Sequence, residues 1–113
     1  MLGKITNGTD LLKRAADISL ARQEVIAHNA SNVDTPRYKR KDIVFKDYLL
    51  KGKSDIKIVE DNSALSNRLD GNNVDIEREM AEMAKNSLRY NVLIQTIAGR
   101  INNIKSVINE GRR

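Results

Sequence analysis

Few segments of this 113-residue chain carry residue types that could do chemistry. Gly52-Lys53-Ser54 has the ending of a phosphate-binding loop, but that pattern needs a glycine five residues earlier, where Asp47 stands. Asp70-Gly71-Asn72-Asn73-Val74-Asp75 has the composition of a calcium loop. Val74 occupies a position that requires an oxygen ligand, so a turn and a helix cap are expected there instead. His28 is the one histidine, and there is no cysteine. A disulfide or thiolate metal site is therefore impossible, and a histidine base would have no nucleophile or orienting partner. Glu77, Glu79 and Glu82 do not point the same way on a helix and fit stabilisation by its dipole better than acid/base work. No catalytic, cofactor-binding or metal-binding residue is expected, and the chain does not read as an enzyme. Asn7-Gly8-Thr9 and Asn29-Ala30-Ser31 match the short glycosylation triplet, with no secretory signal beside them.

One basic patch remains. Arg37, Lys39, Arg40 and Lys41 surround Tyr38, in a chain of net charge +5 and pI about 9.6. Lysines and arginines on phosphates, with a tyrosine stacked on a base, would make a small basic helical nucleic-acid-binding module. The patch is short and adjoins no recognition-helix pattern, so this is the secondary reading.

The elements that must position these residues are helical. Steps of four and three from Ile76 give Met80, Met83, Ser87, Tyr90, Ile94, Ile97, Ile101, Ile104 and Ile108, a heptad seam broken at one position. Asp75 is the expected N-cap, and Gly111 with Arg112 and Arg113 the expected end. A less one-sided helix is expected over about 9–33, capped by Asn7 or Thr9 and ended where Thr35 precedes Pro36. It carries apolar residues on two sides and must be covered on both. About forty residues join the two helices, with strand candidates at 43–45 and 56–59 and turns near Gly52, Gly71 and 61–63. The expected fold is mainly α, a single module over 1–113. Its long N- and C-terminal helices (about 9–33 and 75–110) pair as a coiled-coil-like α-hairpin around a partly extended or disordered connector, 34–74. The C-terminal helix is expected to overhang its partner by several turns, leaving Leu88, Val92, Leu93 and Val107 for other subunits to cover.

The run from Asn29 to Lys39, with Asn29, Asn32, Thr35, Pro36 and Tyr38 in register, resembles the signature that closes the N-terminal helix in the flagellar rod and hook family. The run from Gly71 to Asn86, followed by Tyr90, resembles the C-terminal half of the proximal-rod members of that family. Arg37 stands where glycine or asparagine is common there, and Ala30 and Ser31 replace a bulkier and a smaller apolar residue. The resemblance implies a structural subunit of the proximal rod, without cofactor or small-molecule substrate. It would be exported without a cleaved signal and assembled in the periplasm with copies of itself and other rod proteins. Its neighbours would include the junction with the membrane ring and export apparatus. No leader-like run at the start and no stretch near 20 apolar residues is present in the sequence. In residue terms, Asn29 and Asn32 would satisfy free carbonyls or bond the partner helix, Thr35-Pro36 would fix the exit, and Tyr38 would rest its ring on apolar surface.

Overall fold

A computed structural model describes residues 2–51, 55–62 and 68–111. Helix α1 spans Leu2–Ser31, strand β1 Lys41–Val44, helix α2 Lys46–Lys51, strand β2 Lys57–Glu60 and helix α3 Ile76–Gly111. Gly52, Lys53, Ser54, Ser63, Arg112 and Arg113, given turn or helix-end roles above, lie outside the described residues. The helices run antiparallel as a hairpin, with extents of 71 × 26 × 16 Å and a radius of gyration of 18.7 Å. A compact domain of this length would have a radius of about 13 Å.

The expected start of α1 near residue 9 is wrong: the helix begins at Leu2 and carries Asn7, Gly8 and Thr9 inside it. Gly8 reads as a breaker in isolation, but here tertiary contact overrides propensity. The Arg100 guanidinium of α3 occupies the space that a Cβ at Gly8 would need. The longer α1 also corrects the expected overhang. Asn86 sits against Ser19 and Gln23, and Arg100 sits against Gly8, so the partners stay in register almost to the end of α3.

Two sides of α1 are buried, by different elements. Ser19 and Gln23 meet α3, with Ala16 and Ile26 buried on the same helical face. On the other side Ile18 and Val25 form a core with Ile43, packed by Ala21, Phe45, Tyr48, Leu49 and Ile56. The connector therefore supplies the cover that the second apolar side of α1 requires. It does so as an antiparallel pair, Ile43 opposite Ile58, plus the short helix α2. α2 docks through Tyr48 Oη to Asp17 (2.9 Å) and Arg14 Nε to the Leu49 carbonyl (3.1 Å). That hydrogen bond to Asp17, with burial second, raises the Tyr48 pKa. Six residues are too short to show a helical period, which is why α2 is absent from the pattern.

α3 starts where its cap predicts: Asp75 Oδ1 accepts from the N–H of Glu77 at 3.0 Å, and Glu79 N bonds the Asp75 carbonyl. Burial along α3 is uneven. Glu79 and Asn86 are its buried residues, and no described residue beyond Asn86 in this helix is buried. Few buried contacts mean low local stability. Amides of residues 94–108 should exchange with deuterium at least about tenfold faster than those of 79–90 in the isolated protein. Equal protection along α3 would show that the hairpin is cooperative to its tip.

Candidate assembly site

The residues of the N-terminal motif converge where α1 ends. Asn29 is fully buried, and its amide completes β1: Nδ2 donates to the Lys41 carbonyl and Oδ1 accepts from the Lys41 N–H, both at 2.8 Å. Tyr38 Oη donates to the same Oδ1 at 2.9 Å. The phenol proton is directed at that amide oxygen, and His28 Nδ1 lies 2.8 Å from the phenol oxygen and 3.4 Å from Asn32 Nδ2. Burial, then the charge of Glu79, raises the Tyr38 pKa and keeps that proton in place. Lys41 lies over the ring, 5.9 Å from its centroid. Asn32 Nδ2 donates to the His28 carbonyl at 2.7 Å, satisfying one of the acceptors left free at a helix end, while its Oδ1 accepts from Thr35 Oγ1 at 3.0 Å. Thr35 and Pro36 are exposed.

The second motif closes on the first through Asn72, which is also fully buried. Its Nδ2 lies 2.8, 3.0 and 2.8 Å from the carbonyls of Asn32, Val33 and Thr35, and its Oδ1 accepts from Val74 N–H at 2.8 Å. One side chain thus ties the exit of α1 to the entry of α3. Beside it Arg37 N–H donates to the Asp70 carbonyl at 2.8 Å, which holds Arg37 at φ 62°, in the left-handed region. Glycine or asparagine would hold that conformation with less strain.

Arg40 answers the basic-patch reading. It is buried, with Nε on Glu79 Oε1 at 2.9 Å and a guanidinium N–H on Asp61, so it is not available to phosphate. Burial pulls its pKa down, but the hydrogen bond and charge of Glu79, then those of Asp61, outweigh this and leave it raised. Asn73 completes the joint, its Oδ1 accepting from Arg40 N–H at 2.6 Å and its Nδ2 donating to the Asp61 carbonyl at 2.8 Å. Lys39 is drawn onto the Gly71 carbonyl and Lys41 onto Tyr38, so the four cations do not form a common surface. Sequence reasoning assigns Arg40 to a basic patch, Asp61, Asn72 and Asn73 to turns and Glu79 to the helix dipole, and gives Asn86 no role of its own; no periodicity marks these six as parts of one polar joint.

The C-terminal seam is divided. Met83, Tyr90, Ile97 and Ile104 are half-buried on the stripe that meets α1. The other members point outward, with Ile76 42%, Met80 44%, Ile94 42%, Ile101 42% and Ile108 52% exposed. In their place the contact stripe takes Glu79, Asn86 and Leu93, so α3 is rolled relative to its most apolar face. Asn86 Nδ2 bonds the Ser19 carbonyl (2.7 Å) and Gln23 Oε1 (2.9 Å), which fixes that roll. Leu88, Val92 and Val107 are exposed as expected, whereas Leu93 turns inward. Among the described residues no group of three or more histidines and carboxylates is placed to hold a metal ion.

Three comparisons place this architecture. The flagellar basal body rod protein FlgB of Bacillus subtilis is 34% identical over 128 aligned positions, covering 97% of this chain and 96% of that protein. FlgB of Aquifex aeolicus is 32% identical, covering 89% of this chain and 92% of its own length. FlgB of Escherichia coli is 29% identical, with 98% and 99% covered. No family model matches the chain.

Two substitutions test the joint. Asn72→Ala takes one hydrogen bond from each of three carbonyls that keep another partner and strands the buried Val74 N–H, and should lower stability by about 1–3 kcal/mol in chemical denaturation. An unchanged midpoint would mean that the amide is dispensable. Arg37→Gly relieves a left-handed residue at some cost in unfolded-chain entropy, and should raise stability on the order of 0.5 kcal/mol. A fall in melting temperature would show that the arginine side chain contributes more than its backbone costs.

Proposed function

The chain belongs to the FlgB family of flagellar basal body rod proteins, and from that premise we infer how it serves as a structural subunit of the rod. The carrying observation is similarity along the whole chain, 34% identity over 97% of it, coupled with a helical hairpin that leaves apolar rows uncovered. The subunit works in the proximal rod, as one module, beside copies of itself and other rod proteins. Isoleucines exposed at heptad spacing suit lateral helix packing, and an elongated molecule suits a shaft better than a globule would. The polar joint at Asn29, Asn32, Thr35, Tyr38 and Asn72 sets the angle at which the connector leaves the hairpin, so it governs which neighbour the connector meets. Passage to the periplasm without a cleaved signal, and a seat at the junction with the membrane ring and export apparatus, complete the reading. No described helix is long and apolar enough to cross a membrane.

A strain lacking the gene, examined by electron microscopy and complemented with the intact gene, tests this. Loss of rod and hook with the membrane ring retained is the expected result. Motile cells with complete basal bodies would overturn the rod assignment.

A further inference from the structure

We propose that α3 is a two-position element. Glu79 and Asn86 lock it in the roll seen here, and without that lock it turns by about 50° around its own axis and packs its isoleucine row against α1. The roll thereby decides whether the row is offered to another molecule or kept by the chain itself, a control that goes beyond assignment to the rod.

α3 carries two overlapping seams. Both use the row Met83, Tyr90, Ile97 and Ile104, spaced by heptads and half-buried against α1. On one flank of that row lie Glu79, Asn86, Leu93 and Arg100, and on the other Met80, Ser87, Ile94, Ile101 and Ile108. At roughly 3.5 residues per turn each flanking row stands about 50° from the shared one, on opposite sides. Either flank therefore completes a heptad seam, and exchanging one for the other takes a roll of about 50°. Apolarity alone selects the flank of Ile94 and Ile101, where Ser87 is the single polar member; on the other, Leu93 is the single apolar one. The structure packs the polar flank inward.

Polar bonds make that choice. Glu79 Oε1 accepts from Arg40 Nε at 2.9 Å, and Asn86 Nδ2 donates to the Ser19 carbonyl at 2.7 Å and to Gln23 Oε1 at 2.9 Å. The Arg100 guanidinium lies against Gly8. Every polar member of the inward flank is thus held from across the interface. The hold has an opposing cost, because Glu79 Oε2 and Asn86 Oδ1 are buried without a partner among the described residues. A polar residue in a helical seam fixes its register at the expense of stability, and here it fixes the roll. The flank by which the isoleucine row would enter is open. A pocket of about 260 Å³ separates Leu20 and Gln23 of α1 from Ser87, Tyr90 and Asn91 of α3, and Leu20 is 48% exposed. Close packing, which resists the roll of a buried helix, does not bar it on that side.

The chain has no cysteine, so a single introduced thiol reports which flank of α3 faces solvent. Leu93 and Ile94 are neighbours on opposite flanks, the first half-buried and the second 42% exposed. In the otherwise intact full chain, the Ile94→Cys variant should react with a maleimide at least about threefold faster than Leu93→Cys. Adding Glu79→Ala and Asn86→Ala to each should reverse that order, with helix content unchanged by circular dichroism. An order that does not reverse, or two thiols made equally reactive by detachment of α3, would overturn the two-position reading. Should the double substitution lose helix content, Asn86→Ala alone decides: the ratio of the two rates should fall at least about threefold, and an unchanged ratio overturns the proposal. A last variant blocks the alternative seam. Ile101→Asn with Ile108→Asn, added to the unlocked chain, should restore the original order, and a reversal that survives them would show that the isoleucine row is not what α1 receives.

Discussion

Everything in this hairpin depends on buried polar groups at its closed end finding partners. A helix that stops leaves its last carbonyls unpaired, and a second helix that starts beside it adds free N–H groups. Here the two ends are made to answer one another. Asn32 and Val33 reach back to the carbonyls of His28, Asn29 and Ala30 at the end of α1, Asn72 ties the turn after it to α3 through the carbonyls of Asn32, Val33 and Thr35, and Asn29 supplies the missing strand partner for Lys41. The amides of Asn29 and Asn72 are fully buried, so each of their bonds is made where water cannot substitute. A hydrophobic contact at the same place would permit the connector many angles; these bonds permit one.

The ionic joint of Arg40, Glu79 and Asp61 extends the same constraint to α3. A buried ion pair is weak evidence of stability, because desolvating the charges offsets much of their attraction. Its effect here is on register. Glu79 belongs to the first turns of α3 and Arg40 immediately precedes β1, so the pair forbids α3 from rolling its apolar row onto α1. Asn86, further along, fixes the same roll through Ser19 and Gln23. Glu79 and Asn86 each keep one side-chain oxygen that is buried without a partner among the described residues, a cost set against the specificity they give.

Much of the fold was legible in the sequence because helices advertise themselves by period. Asp75 as the cap, the start of α3, the strands near Ile43 and Ile58 and the two-sided burial of α1 follow from spacing and residue type. The rest needed partners distant in the chain. Gly8 leaves room inside α1 for Arg100, Arg40 is an internal cation beside Glu79, and α2 docks because Tyr48 and Leu49 have Asp17 and Arg14 to hold. The seam shows the same limit from another side. Apolar periodicity identified Met83, Tyr90, Ile97 and Ile104 together with Met80, Ile94, Ile101 and Ile108, but could not tell the row that folds the chain from the row beside it.

That ambiguity is itself informative. A helix needs one apolar stripe to pack against one partner. α3 has a stripe that is wider than its partner can cover, and the face turned to α1 is the more polar part of it. A chain selected solely for the stability of its own hairpin would place Ile94 and Ile101 inward and leave Glu79 and Asn86 to solvent. The opposite arrangement is held in place by specific buried bonds, at a cost to the subunit. Such a roll makes sense where the better hydrophobic surface has to stay outside until another molecule covers it, and a filament subunit is a protein that must remain separate before it joins its neighbours.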